Sequence, residues 1–159
     1  MNAIVVYYSR TGTTKSVAHA VAQKLGCETK EITDLKSRAG VMGYLTGGKD
    51  AVSKKLTQIS EEKTKSEEYD LYILGTPVWG SNPCPAIRTF ITQNKNKIKK
   101  VALFCTAGGK NTSNTLSEME LLVGSAPLAT LSLQTTEVKK NLFSEKVDSF
   151  VKYLKTSEK

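Results

Sequence analysis

The chain has 159 residues, 39% hydrophobic and 24% charged, with a net charge of +8. That length suits a single domain, residues 1–159, with a sizeable core, while no stretch approaches the roughly 20 apolar residues of a membrane span. The lysines are scattered, and the densest cluster (residues 94–100) has no interleaved aromatics, so a solvated basic surface is expected rather than a nucleic-acid partner. No basic-then-apolar leader opens the sequence, and Cys27, Cys84 and Cys105 are odd in number with no C-x-x-C pair. A reduced, cytoplasmic setting is expected, with no membrane insertion.

The run Ala3-Ile4-Val5-Val6-Tyr7-Tyr8 shows no polar alternation and reads as a buried central strand, Ile4 to Tyr8. Ser9-Arg10-Thr11-Gly12-Thr13-Thr14 follows and opens into a helix expected from about Thr13 to Leu25. Val17, Ala18, Val21, Ala22 and Leu25 share one stripe of that helix, and Gly26 stands where a C-terminal cap belongs. Helix N-termini carry amides without partners and partial positive charge. Four hydroxyls around one glycine add donors and allow close approach, so this stretch is expected to hold an anion. His19 lies off the stripe and is expected at the surface, without a partner.

Residues 27–32 read as a second, polar strand nearer the sheet edge. From residue 34 to 65, Gly40, Gly43, Gly47 and Gly48 are expected to break any long helix, leaving at most a short one near Ala51, Val52 and Leu56. The glycines around Tyr44 suit either a wall of a binding site or a mobile connector. Ser60 to Glu68 is expected to be a loop or a solvated helix. Leu71 to Thr76 reads as the third strand, ending in a rigid loop from Pro77 to Pro83 that carries the only tryptophan, Trp79. Pro85 suits the first turn of a helix with Ile87, Phe90 and Ile91 inward. Val101 to Cys105 is a fourth strand that ends in the small-residue turn Thr106-Ala107-Gly108-Gly109. Leu116, Met119, Leu122 and Val123 mark a helix, and Leu128 to Leu133 a fifth strand. A last helix is expected from Ser144 to Lys155, with Val147, Phe150, Val151 and Leu154 inward.

Five alternations of strand and helix predict an α/β fold, a doubly wound five-stranded parallel sheet with helices on both faces and right-handed crossovers. Ligands of such sheets sit at the carboxyl ends of the strands. Residues 9–14, 76–82 and 106–110 all follow strands and are expected on that edge, with the lysine cluster on the opposite one. An anion site, a proline–tryptophan corner and a glycine turn together suit a ligand with a phosphate and a flat aromatic system. Receiver chemistry is excluded, because Ser9-Arg10 and Thr76-Pro77 stand where its carboxylates would be. Cys84 and Arg88 are too close to bracket a phosphatase loop, Cys105 has no such arginine, and no P-loop or G-x-G-x-x-G occurs. Cys84 and Cys105 are expected to pack rather than to react.

Residues 9–14 resemble the phosphate loop, Ser/Thr-x-Thr-Gly-x-Thr, of the flavodoxin-like family of FMN-binding proteins. Gly75-Thr76-Pro77-Val78-Trp79-Gly80 is similar to that family's ring-carrying loop, and Thr106-Ala107-Gly108-Gly109, preceded by Cys105, to its second flavin-holding loop. The resemblance implies FMN as cofactor. It assigns the phosphate to the hydroxyls and amides of Ser9, Thr11, Thr13 and Thr14 and the amides of Arg10 and Gly12. It assigns the flavin to Thr76, Pro77, Val78, Trp79 and Gly80 and to Cys105, Thr106, Ala107, Gly108 and Gly109. Trp79 would stack on the ring, and the Gly80 peptide would flip to tune the semiquinone. The sequence departs from the family in its basic charge. Arg10, Lys15 and Lys110 lie in or beside the expected mouth, and Ser81 stands where an acid is common. Cationic surroundings favour the anionic hydroquinone. The second loop also lacks the tyrosine that often covers the other flavin face, which leaves room for a substrate ring. Two functions follow from the resemblance. One is a carrier moving electrons between redox protein partners; the other is an FMN-dependent oxidoreductase acting on NAD(P)H and a quinone. No feature reads as a nicotinamide site, which favours the carrier.

Overall fold

A computed structural model describes residues 2–61 and 68–157. Its first strand, β1 (Ala3–Tyr7), is buried along its whole length and feeds two cores. Ala3, Val5 and Tyr7 enter one, Ile4 and Val6 the other. A strand covered on both faces needs apolar side chains at every position, which is why this one shows no alternation. The chain continues through α1 (Thr13–Leu25), β2 (Glu28–Asp34), α2 (Gly40–Val52), β3 (Ile59–Glu61), β4 (Leu71–Trp79) and β5 (Asn82–Pro83). It ends with α3 (Pro85–Asn94), β6 (Val101–Ala107), α4 (Ser113–Val123), β7 (Thr130–Gln134), α5 (Thr135–Lys139) and α6 (Ser144–Thr156).

The strand order is β3-β2-β1-β4-β6-β7, with β5 paired to β4. Among the described residues the sheet has seven strands, where the sequence predicts five. Five of them, β2, β1, β4, β6 and β7, form the expected parallel array. The other two are antiparallel additions, β3 on β2 and β5 on β4, of three and two residues. Segments that short carry no period to read. Helices α1 and α6 pack Val17, Val21, Phe150 and Val151 on one face; α3 and α4 pack Ile87, Phe90 and Met119 on the other. Each buried apolar side chain of this kind contributes about 1.5–3 kcal/mol.

Four local expectations need correction. Gly43, Gly47 and Gly48 do not break α2, a 13-residue helix. Its glycines permit close packing instead. A Cβ on Gly43 would lie 2.1 Å from the Arg38 carbonyl carbon, and one on Gly47 2.8 Å from Cζ3 of Trp79. Strand β4 runs on to Trp79 and β6 to Ala107, so the expected Pro77–Pro83 loop is a hairpin with β5. His19 is exposed, yet its Nε2 lies 3.2 Å from the Tyr7 hydroxyl. Ser60 and Glu61 belong to β3, and the remainder of the expected polar loop up to residue 67 lies outside the described residues. The lysine cluster sits at the amino ends of the strands, where Tyr72 N–H donates to the Lys100 carbonyl.

Candidate functional site

The chain leaves β1 for β2 on one side and returns to β4 on the other, so the topological switch point lies between β1 and β4. Doubly wound sheets bind their ligands there, outside the carboxyl ends of the strands. Residues 8–12 follow β1 at this edge. Gly12 caps α1 at φ +92°, a left-handed conformation that side chains disfavour, and a Cβ there would meet nothing within 4 Å. The Gly12 N–H donates to Ser9 Oγ at 3.1 Å, while its carbonyl accepts from Ser16 N–H and Oγ–H, both at 3.0 Å. No side chain caps α1 and its first turn holds no acid. The partial positive charge of the helix start is thus not offset from within the turn, which suits an anion.

Thr14 and Thr106 tie the start of α1 to the end of β6, their hydroxyls sharing a buried hydrogen bond of 2.8 Å. Thr76 is fully buried, and its Oγ accepts Cys84 N–H at 3.0 Å, fixing the start of α3. These three hydroxyls hold the loops in place. Ser9, Thr11 and Thr13 remain on the accessible side.

The second loop is a two-residue hairpin turn. Trp79 pairs with Asn82, and Gly80 (φ +54°) and Ser81 (φ +61°) between them are both left-handed. Positive φ at both central positions is what a type I′ turn demands. Two asparagine side chains pin it: Asn82 Nδ2 donates to the Gly80 carbonyl at 2.7 Å, and Asn114 Nδ2 to that of Ser81 at 2.6 Å. A Cβ on Gly80 would fall 2.4 Å from Cγ2 of Val52, so both conformation and space require glycine there. Half-buried Trp79 lies edge-on to Tyr8, with ring centroids 5.6 Å apart and planes at 87°, and touches α2 at Gly47. Pro77 and Val78 are half-buried beside it.

The third loop is bare. Gly108 and Gly109 are exposed and a Cβ on either would meet nothing within 4 Å. Ala107 is buried at the end of β6. Cys105 points into the core, where its Sγ lies 3.6 Å from Ser132 Oγ. Burial raises the Cys105 thiol and pushes that of Cys84 up to about 11, so both stay protonated and unreactive near neutral pH.

The expected basic mouth is weaker than the sequence suggests. Lys15 pairs with Glu31 at 2.6 Å. Arg10 turns toward α2, donating to the Arg38 carbonyl at 3.3 Å with its guanidinium over the Tyr44 ring at 5.3 Å. Beneath that arginine, a cavity of about 310 Å³ opens between Ser9, Glu31, Asp34 and Arg38. Its floor is an ion network the sequence did not suggest. Arg38 is 4% exposed and bridges Asp34 and Asp50 through two hydrogen bonds of 2.8 Å. Lys36 also donates to Asp50 at 2.7 Å, and with Arg38 it holds that carboxyl below its ordinary range. Only the i, i+4 spacing of Asp34 and Arg38 hinted at a pair.

Among the described residues, no helix is long and apolar enough to cross a membrane, and no group of three or more His, Cys, Asp or Glu could hold a metal ion. A family model described as Flavodoxin matches residues 2–150. A flavoprotein from Lactobacillus acidophilus, solved in complex with FMN, superposes with a TM-score of 0.70 at 25% identity, over 87% of this chain and 97% of that one. A flavoprotein from Bacteroides eggerthii gives 0.68 at 21% identity over 89% and 95%. Two-electron reduced flavodoxin from Megasphaera elsdenii gives 0.52 at 20% over 82% and 85%. A search of curated protein sequences finds no match. With the family model spanning nearly the whole chain and the three loops converging where the fold binds its ligands, this chain belongs to the flavodoxin family.

Proposed function

We propose that this chain binds FMN and carries single electrons between protein partners in the cytoplasm. The observation that carries the cofactor assignment is the uncapped, acid-free start of α1, tied through Thr14 and Thr106 to the strand that leads into the third loop. In this reading Ser9, Thr11 and Thr13 and the amides of residues 10–14 hold the phosphate. Thr14, Thr76, Thr106 and Cys105, whose side chains face inward, support the loops and offer backbone groups. Trp79 covers one side of the isoalloxazine and keeps water from it. Gly108 and Gly109 let the backbone approach the other side closely. Once bound, FMN would supply reversible one- and two-electron chemistry, and the protein's part is to hold and shield it. The L. acidophilus relative solved with FMN supports the choice of cofactor. The three free cysteines suit a reducing compartment.

Carrier function is supported by the exposure of the Gly80–Ser81 turn, which leaves the ring corner within reach of another protein's surface. Gly80 is the residue proposed to tune the two reduction steps, through a carbonyl now held by Asn82. One observation favours the oxidoreductase alternative: the open space over Gly108 and Gly109 admits a second flat ring. Stepwise reduction of the yellow holoprotein separates the two. A carrier gives two resolved one-electron steps and no turnover with NAD(P)H and a quinone; an oxidoreductase gives one two-electron step and turns over. Gly80→Ala should shift the separation of the two one-electron potentials, and unchanged potentials would remove Gly80 from this role.

A further inference from the structure

Helix α2 is built inside out. It buries Gly43, Gly47, Asp50 and Ala51, and exposes its large apolar residues. Val41 is 76% exposed, Met42 71% and Leu45 57%, with Tyr44 and Val52 between the last two. A helix normally turns such residues to the core, and a contiguous exposed patch of them on a folded chain marks a binding surface. Positions 41, 45, 48 and 52 recur at helical spacing, so Val41, Leu45 and Val52 form one stripe, with Gly48 between them. The stripe ends at the candidate site, since Val52 Cγ2 lies 2.4 Å from where a Gly80 Cβ would be.

The rim of this face is cationic. Between residues 34 and 55, five cations stand against two carboxylates, and Glu118 adds a third by pairing with Lys54 at 2.7 Å, so the face keeps a smaller positive excess. Of these, Asp34 and Asp50 lie buried on Arg38. Lys49 and Lys55 stay exposed beside the stripe. A second copy docking by two-fold symmetry would set cationic rim against cationic rim, in a chain of net charge +8. An acidic surface with an apolar centre meets both features.

We propose that the outer face of α2 docks an acidic protein presenting an apolar centre, seating that partner beside the Gly80 turn. That this partner exchanges electrons rests on the carrier function above; the docking itself does not. The test is isothermal titration calorimetry against an acidic plant-type ferredoxin, with a basic cytochrome of similar size as the charge-reversed probe, using the protein with and without FMN. The ferredoxin should bind and the cytochrome should not. Leu45→Ser should weaken binding about tenfold, as loss of an apolar anchor does, with the melting temperature unchanged. Lys49→Glu should weaken it several-fold at about 20 mM salt and little at about 300 mM.

Absence of ferredoxin binding, or unaltered binding by Leu45→Ser, overturns the proposal. So does self-association in sedimentation that Leu45→Ser abolishes, which would assign the face to a second copy. Binding to phosphatidylglycerol vesicles that Leu45→Ser abolishes would assign it to a membrane and overturn it as well. A parallel FMN titration keeps the two ideas apart. A chain that takes up no FMN fails as a carrier, whereas one that takes up FMN but ignores the ferredoxin fails only here.

Discussion

Helices α1 and α2 have the same length, 13 residues, and opposite constructions. Helix α1 is fastened by its apolar stripe, with Val17, Ala18 and Val21 fully buried against the sheet. Helix α2 is fastened by two glycines lying on the Arg38 backbone and the Trp79 ring, and by Asp50 reaching Arg38. The first therefore draws its stability from burial, the second from contact geometry and charge. The difference matters for function. Using glycines and an ion pair inward frees the apolar residues of α2 to face outward, beside the candidate site.

The sharpest way to break this comparison is Arg38→Ala, which removes the buried cation that bridges Asp34 and Asp50 and leaves Asp50 to the exposed Lys36 and Lys55. Losing one member of a buried ion network costs about 3 kcal/mol, and a urea unfolding midpoint should fall accordingly. Val17→Ala should cost about 2 kcal/mol through lost burial and a residual cavity; a similar loss from Leu45→Ser would contradict the inverted construction of α2. Two glycine substitutions in α2 should then act in opposite directions. Gly43→Ala forces a Cβ into the Arg38 backbone and should destabilise by about 1–3 kcal/mol. Gly48→Ala meets nothing within 4 Å, so it should stabilise by about 0.5–1 kcal/mol through helix propensity alone. Equal signs from the two would mean that glycine packing does not hold α2.

The smallest effect is that of pH. Lys36 and Arg38 hold the Asp50 carboxyl below its ordinary value. A group depressed in the folded state contributes stability above its unfolded pKa, and that stability is lost as pH falls through the folded value. The melting temperature should drop as pH falls below about 4, and Asp50→Asn should flatten part of that drop. An unchanged acid profile in Asp50→Asn would detach Asp50 from the network's stability.

The parts of the fold that the sequence disclosed are those fixed by period and punctuation. The apolar run of β1, the stripe of α1 ending at Gly26, and Pro85 at the start of α3 all express local rules that the structure keeps. Residues 9–14 stood out as a candidate anion site because a strand, hydroxyls and a glycine meet at one helix start, and the structure keeps that strand–loop–helix order. Helix α2 was not legible, because its glycines read as breakers and serve as packing surfaces against partners distant in the chain. The hairpin at Gly80–Ser81 was hidden by Pro77 and Pro83, which read as a rigid loop although neither interrupts the pairing that forms. The inward engagement of Thr14, Thr76 and Thr106 depends on tertiary pairing that no local pattern encodes.

The central claim is that the start of α1 holds a phosphate. It is tested most directly by titrating the apoprotein with FMN and with riboflavin, which lacks the phosphate, and following the quenching of flavin fluorescence. Charge-assisted hydrogen bonds to the phosphate should make FMN bind about a hundredfold more tightly than riboflavin. Equal affinity for the two flavins would contradict the assignment.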